Sequence, residues 1–401
     1  MSSSRDDDIR ERYSISYESP NNESKNNSRK NFSISIVMLL GWNVFTISSV
    51  YFSIKFIETP FVNDFQNYFS ISFMISNIFF LGHAIYFQKS ANMSRRIVIS
   101  LCSLTLIFMA TAITTQIKLF TPDGYFCFII LLMFLSGAFT AYLQNGVFSV
   151  VSQFSPMYMQ AVMSGQGLAG IIVAILEILS AIIIENKHTP TEAELSQITL
   201  AYFIFAMLIS LLSLISYFIL TRSPLYLHYI PPQEKPIIHP IDQTLNNHSI
   251  QRTFNRIRLL CFAIFFNFLV TLALYPSITA SIKSTTTDQN KQLFQQNYLF
   301  IPIHFLIFNA GDWIEVGIHG KRLVPLLITN DWIYFLILVL FAITNGYLGS
   351  LTMMAGPQVF GVVKDFAGTL LSFFLAFGLV CGSMFSFPLK AISCGCNPFA
   401  M

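Results

Sequence analysis

Charge is scarce in this chain. Only 11% of its 401 residues are Asp, Glu, Lys or Arg, while 54% are hydrophobic; a soluble domain carries about 25% charged residues. That deficit excludes a water-soluble globule as the bulk of the protein. Cysteine is also sparse, with six residues. Cys102, Cys127, Cys261 and Cys381 lie within apolar runs, where a thiol is a small apolar filler. Cys394 and Cys396 form a Cys-Gly-Cys whose two thiols cannot alone complete a tetrahedral zinc site. The sequence has no HExxH zinc motif and no Ser/His/Asp set at one membrane depth, so a membrane enzyme is disfavoured. No metal, cofactor or nucleic-acid partner is expected.

What is present is apolar sequence, rich in Phe (41 residues), in runs near 33–57, 66–88, 97–117, 125–151, 157–183, 198–220, 258–280, 294–314, 331–354 and 366–390. Each reaches the roughly 20 residues that span about 30 Å of hydrocarbon as a helix. Strands of a membrane barrel would alternate in polarity over about 10 residues, and these runs do not. The chain is therefore expected to be an all-α polytopic membrane protein. Residues 1–31, with Asp6, Asp7, Asp8 and many Ser and Asn, read as a disordered tail rather than a cleaved signal peptide. A second polar segment, 222–255, contains Pro231, Pro232, Pro236 and Pro240 and divides a first helix bundle (32–221) from a second (256–393). Lys25, Arg29, Lys30, Lys89, Arg95, Arg96, Arg222, Lys235, Arg252, Arg256 and Arg258 gather in alternate connections. The excess of basic residues on cytosolic loops places the N-terminus and the long segment in the cytosol. The sequon at Asn92 falls on that side, where glycosylation is not expected.

Polar residues recur within the runs: Trp42-Asn43, Gln144-Asn145, Ser164 and Gln166 with Glu177 further along, Asn309 and Asp312, and Asn345. An ionised Asp in hydrocarbon costs roughly 2.5–3.5 kcal/mol or more, so Asp312 marks a polar cavity or a substrate path; the plainer alternative is a helix-end carboxylate reaching for water. Asn309 and Asp312 are three apart, and Gln166 and Glu177 eleven apart, spacings that share a helix face. Amides in membrane helices also serve as interhelical ties, but five runs with an amide or acid point to one cavity. A carboxylate beside an amide can accept from two adjacent hydroxyls, as on a ribose. An amide such as Gln144 both donates and accepts, which suits a nucleobase edge, and Trp42 offers a stacking face. The same set suits a sugar or an amino acid, so these residues alone indicate only a small polar solute.

The stretch Gln144–Gly170 resembles the signature of the fourth and fifth helices of equilibrative nucleoside transporters (solute carrier family 29). Further matches follow in order: Gly41-Trp42-Asn43 with Tyr51-Phe52, Phe308-Asn309-Ala310-Gly311-Asp312-Trp313, and Phe341 to Gly349. The resemblance implies about 10–11 transmembrane helices in a six-plus-five, major-facilitator-like bundle. It implies facilitative transport of nucleosides, and in some members nucleobases, by alternating access, in a plasma or vacuolar/lysosomal-type membrane. By resemblance Gln144 contacts the base and Asp312 the ribose, with Trp42 and Asn309 also at the substrate; Asn43, Asn145, Ser164, Gln166, Glu177 and Asn345 are candidate pore-lining positions.

Two departures stand out. The family places an Arg that helps bind ribose four residues beyond its Asp; here that position is Val316, and Glu315 replaces a Gly. The family's ninth helix should follow, yet within 316–330 the apolar run Leu323–Ile328 would give only about 9 Å of helix. A lost coding segment, a degenerate non-transporting member, or a short re-entrant element would each account for this. Loss of one crossing would invert the last two spans and carry Lys364 outward. A facilitator of another small polar solute is the remaining alternative.

Overall fold

The computed structural model describes residues 22–62, 65–88, 91–117, 120–186, 191–224, 226, 240–274, 297–314 and 331–394. The ten apolar runs all become helices: α1 (Asn22–Ile47) with α2 (Ser49–Lys55), α3 (Phe65–Tyr86), α4 (Met93–Gln116), α5 (Pro122–Val151), α6 (Pro156–Asn186), α7 (Glu192–Thr221), α8 (Pro240–Leu274), α9 (Asn297–Ile314), α10 (Asp331–Ala355) and α11 (Lys364–Cys394). Among the described residues, eight helices are long and apolar enough to cross a membrane, and α1 with α2 makes a ninth if their 47° bend lies within one span. The bend falls at Ser48, whose hydroxyl donates to Val44 O at 2.8 Å. This back-bonding to the preceding turn is a known cause of helix bending.

Two boundaries differ from expectation. Helix α1 begins at Asn22, inside the segment assigned to the tail, and α8 begins at Pro240, inside the segment assigned to the long loop. Apolar runs report only the lipid-immersed part of a helix. Neither 22–31 nor 241–255 contains a Gly or Pro to stop the helix, and Pro240 suits a first helical position, where no N–H partner is needed. Residues 1–21, Cys396 and the shortened segment 316–330 lie outside the described residues.

Helix α1 packs along α6 and α7, α4 along α7 and α5, and α3 along α5; in the second group α8 packs along α11 and α10, and α9 along α10. Contacts of α6 with α9 and α10, and of α3 and α5 with α11, join the two groups. The α8–α11 contact uses a Gly-x-x-x-Gly: a Cβ at Gly378 or Gly382 would strike the backbone carbonyls of Phe265 or Leu269. Small residues bring membrane helices this close because close packing, not hydrophobicity, holds helices together in lipid. The abundant Phe fills the first group, where Phe52, Phe56, Phe65, Phe69 and Phe126 meet largely edge to face.

The helix directions settle the fate of the last two spans. Asn309 lies against Gly170 and Asp312 beside Ser164, so α9 runs antiparallel to α6. Asn345 meets Asn267, while Phe360 and Val363, beyond α10, meet Arg256 and Thr253 near the membrane end where α8 enters; α10 is therefore antiparallel to α8. Gly311 faces Ala342 and Asp312 faces Gly346, so α9 and α10 run side by side in the same sense. The last two spans are not inverted. The turn carrying Lys364 sits at the same end as the polar 222–255 segment, as the basic-loop rule prefers.

Candidate functional site

Asp312 sits in the last turn of α9, and its Oδ1 accepts from Asn345 Nδ2 at 2.6 Å. Asn345 lies in the membrane-crossing part of α10, 4% exposed. Its own Oδ1 accepts from Asn267 Nδ2 at 2.9 Å and from Thr271 Oγ1 at 2.5 Å, both on α8. Three helices thus converge on the carboxylate, and α6 supplies the fourth wall through Ser164. Gly346 makes the approach possible, because a Cβ there would overlap the backbone carbonyl of Asp312. The resulting cavity, with Ser164, Phe268, Asp312, Asn345 and Ser350 on its walls, measures about 20 Å³. That is room for about one water, far below the roughly 300–1,000 Å³ of pockets that enclose small molecules. Among the described residues, α6, α8, α9 and α10 all contribute to the lining of this cavity.

Only part of the sequence-derived set meets here. Asp312, Asn345 and Ser164 do. Gln144, buried on α5, donates from Nε2 to Ser372 O of α11 at 3.3 Å, tying the two helix groups together. Asn309 turns back to Phe305 O at 2.8 Å and fills the space left by Gly170, so it packs α9 onto α6 rather than lining the cavity. Gln166 Nε2 reaches Met38 Sδ of α1 at 3.2 Å. Trp42 is half-buried against Phe73, with ring centroids 5.6 Å apart, and Asn43 is half-buried beside it on α1. Glu177 lies beside Tyr202 of α7, away from the Asp312 cavity. The expected convergence of five polar helices on one cavity is therefore partial. Most of these amides bridge neighbouring helices, the tie that a membrane interior favours.

Asn145 belongs to a separate cluster. It accepts from Arg96 Nη1 at 2.7 Å and donates to Gln88 Oε1 at 3.3 Å; the same Gln88 oxygen accepts from Thr369 Oγ1 of α11 at 2.8 Å. Arg96 also donates to the carbonyls of Ala84 and Phe87, at 2.7 and 3.1 Å. The guanidinium thus ties the end of α3 to α4 and α5, and Gln88 carries the tie to α11. Sequence reasoning missed Gln88, Asn267 and Thr271. Asn267 had a signal: it is the sole amide within residues 258–274.

Comparison with known proteins places this geometry in context. The family model described as "Nucleoside transporter" matches residues 129–317 and 314–391, two stretches that overlap at 314–317. Equilibrative nucleoside transporter 1 of Homo sapiens is 26% identical, over 82% of this chain and 82% of that protein. Equilibrative nucleoside transporter 2 of Homo sapiens is 27% identical over 74% and 78%, and equilibrative nucleoside transporter 3 of Rattus norvegicus 19% over 88% and 86%. Among solved structures, the E. coli fucose:proton symporter FucP superposes with a TM-score of 0.55 at 9% identity, covering 92% of this chain and 93% of that one. A variant of XylE gives 0.54 at 13%, covering 94% and 92%. Among the described residues the fold is a helical, multi-pass membrane bundle of the major-facilitator type, and by its transporter family the protein is not an enzyme. The chain belongs to the nucleoside transporter family.

Proposed function

We propose that the chain carries nucleosides across a membrane down their gradient, by alternating access of two helix groups about a site at Asp312. The observation that supports this best is a carboxylate held by hydrogen bonding between helices of the second group, with its open side against α6 of the first. A carboxylate and nearby amides match a sugar's paired hydroxyls. With a cavity of about 20 Å³, α6 must part from α9 and α10 for a substrate to enter. In this reading Gln144, on the boundary with α11, meets the base as the groups separate, and Trp42 and Asn309 complete the substrate contacts once Asn309 leaves its seat against Gly170. Asn43, Asn145, Ser164, Gln166, Glu177 and Asn345 border the proposed path more loosely. The N-terminus and the 222–255 segment face the cytosol in this reading, with 32–221 and 256–393 as the moving groups. A second reading, a family member that binds but no longer transports, is favoured by Val316 at the position of the family's Arg.

Uptake of labelled uridine and inosine into proteoliposomes, with free ribose, fucose and uracil as competitors, tests the proposal. Saturable uptake that stops at equal concentrations and yields only to nucleosides supports it. Saturable nucleoside binding without uptake supports the second reading. Competition by free sugars as strong as by nucleosides would refute the nucleoside assignment.

A further inference from the structure

We infer that Asn267 and Thr271 of α8 are positioning residues: they lock the side-chain amide of Asn345 in one orientation and, through it, aim the Asp312 carboxylate at the substrate's hydroxyls. The inference rests on the reading of Asp312 as the sugar acceptor. It follows from counting donors and acceptors. An asparagine amide has one accepting end and one donating end, and an ionised carboxylate only accepts. On the α8 side, Asn345 Oδ1 meets two donors, Asn267 Nδ2 at 2.9 Å and Thr271 Oγ1 at 2.5 Å. On the α9 side, Asn345 Nδ2 donates to Asp312 Oδ1 at 2.6 Å. Turning the amide over would set its NH2 against the NH2 of Asn267 and its oxygen against the carboxylate. Both contacts would be repulsive, so α8 dictates that nitrogen faces Asp312.

The holding residues are themselves held. Asn267 Nδ2 also donates to the backbone oxygen of Asn345 at 3.2 Å, so α8 grips both the main chain and the side chain of that residue. Thr271 lies one turn further along the same face of α8; its Oγ1 is within reach of both Asn267 O and Asn345 Oδ1, at 2.8 and 2.5 Å, and its single proton goes to the nearer, Asn345. Asn345 and Thr271 are 4% and 6% exposed, so water does not take over these bonds. In such a dry setting each hydrogen bond strengthens its neighbours along the chain. Neither α8 residue lines the Asp312 cavity. Their effect on substrate therefore passes through Asn345 and concerns the part of the substrate that meets Asp312, namely the sugar hydroxyls, and not the base.

The test is equilibrium binding of uridine and 2′,3′-dideoxyuridine to the purified full chain. It compares the wild type, Asn267→Leu with Thr271→Val, Thr271→Val alone, Thr271→Ser and Asp312→Ala. The double variant is expected to bind uridine about tenfold more weakly while dideoxyuridine binding stays within about twofold, because only the hydroxyl contact is lost. Thr271→Val, nearly isosteric, should shift uridine in the same direction by a smaller factor, and Thr271→Ser, which keeps the hydroxyl, should match the wild type. Dideoxyuridine binding serves as the control for folding. Equal weakening of both ligands in Thr271→Val would show a merely structural role and overturn the inference, as would unchanged uridine binding in both the double variant and Thr271→Val. If Asp312→Ala binds uridine like the wild type, the sugar-acceptor reading has failed. If Asp312→Ala is selectively impaired and the α8 variants are not, the positioning role alone has failed.

Discussion

Replacing Gly346 with alanine adds one methyl group and should disable the site. The added Cβ would overlap the backbone oxygen of Asp312 and stand 3.1 Å from both its carbonyl carbon and its Oδ1. Backbone cannot rotate away as a side chain can, so α9 and α10 must separate and the 2.6 Å bond from Asn345 to Asp312 must stretch. Overpacking of this kind costs about 1–3 kcal/mol, which is about 5–150-fold if it falls on the binding-competent state. Gly82, on α3 and away from the cavity, is the control. A Cβ there would rest 3.8 Å from the ring of Phe373, an ordinary contact. The assay is binding of tritiated uridine to purified variants, with thermal melting beside it. Gly346→Ala should bind at least about 5-fold more weakly and Gly82→Ala like the wild type. Equal binding by all three would refute the close α9–α10 contact and the role assigned to it.

Gln144→Ala should change the ratio of inosine to uridine affinity while leaving discrimination against dideoxynucleosides intact, because an amide left unpaired by one base is the main source of polar selectivity; competition assays with the three ligands check it. Arg96→Leu removes the donor to Asn145 Oδ1 and to two backbone carbonyls and should cost about 1.5–3 kcal/mol for the charged bond to Asn145, seen as a lower melting temperature. Melting unchanged from the wild type would mean that this cluster does not secure α3, α4 and α5. Val316→Arg should strengthen uridine binding by about tenfold or more, since it adds a charged donor four residues beyond Asp312 in the sequence; the same binding assay measures it.

The helices were legible because lipid imposes a length and an apolarity that the sequence must display. Their ends were less so. Nothing in hydropathy tells that α8 starts at Pro240, since a helix continues into water wherever its residues permit. Asp312 was legible because a carboxylate in an apolar run needs a reason. Its partners were not. Gln144 and Asn145 are neighbours in sequence, yet successive helical residues point about 100° apart. Gln144 therefore meets α11, while Asn145 meets Arg96 and Gln88. Asn309 and Asp312 share a face by spacing, but Gly170 draws Asn309 against α6 while Asp312 turns to Asn345. Which neighbour a polar face meets is fixed by long-range packing, and that also hid Asn267 and Thr271. The direction of the last two spans had the same origin: the pairings of α10 with α8 and α9 decide it, and the crossing count did not.

The most direct test of the central claim is zero-trans uptake of tritiated uridine into proteoliposomes, with wild type and Asp312→Asn reconstituted at equal density. Asn keeps the shape of the side chain and removes its charge. The account predicts saturable uptake by the wild type that ends at equal inner and outer concentrations. For Asp312→Asn it predicts uptake reduced by about tenfold or more, the cost of losing a charged acceptor. Undiminished uptake by Asp312→Asn would contradict it.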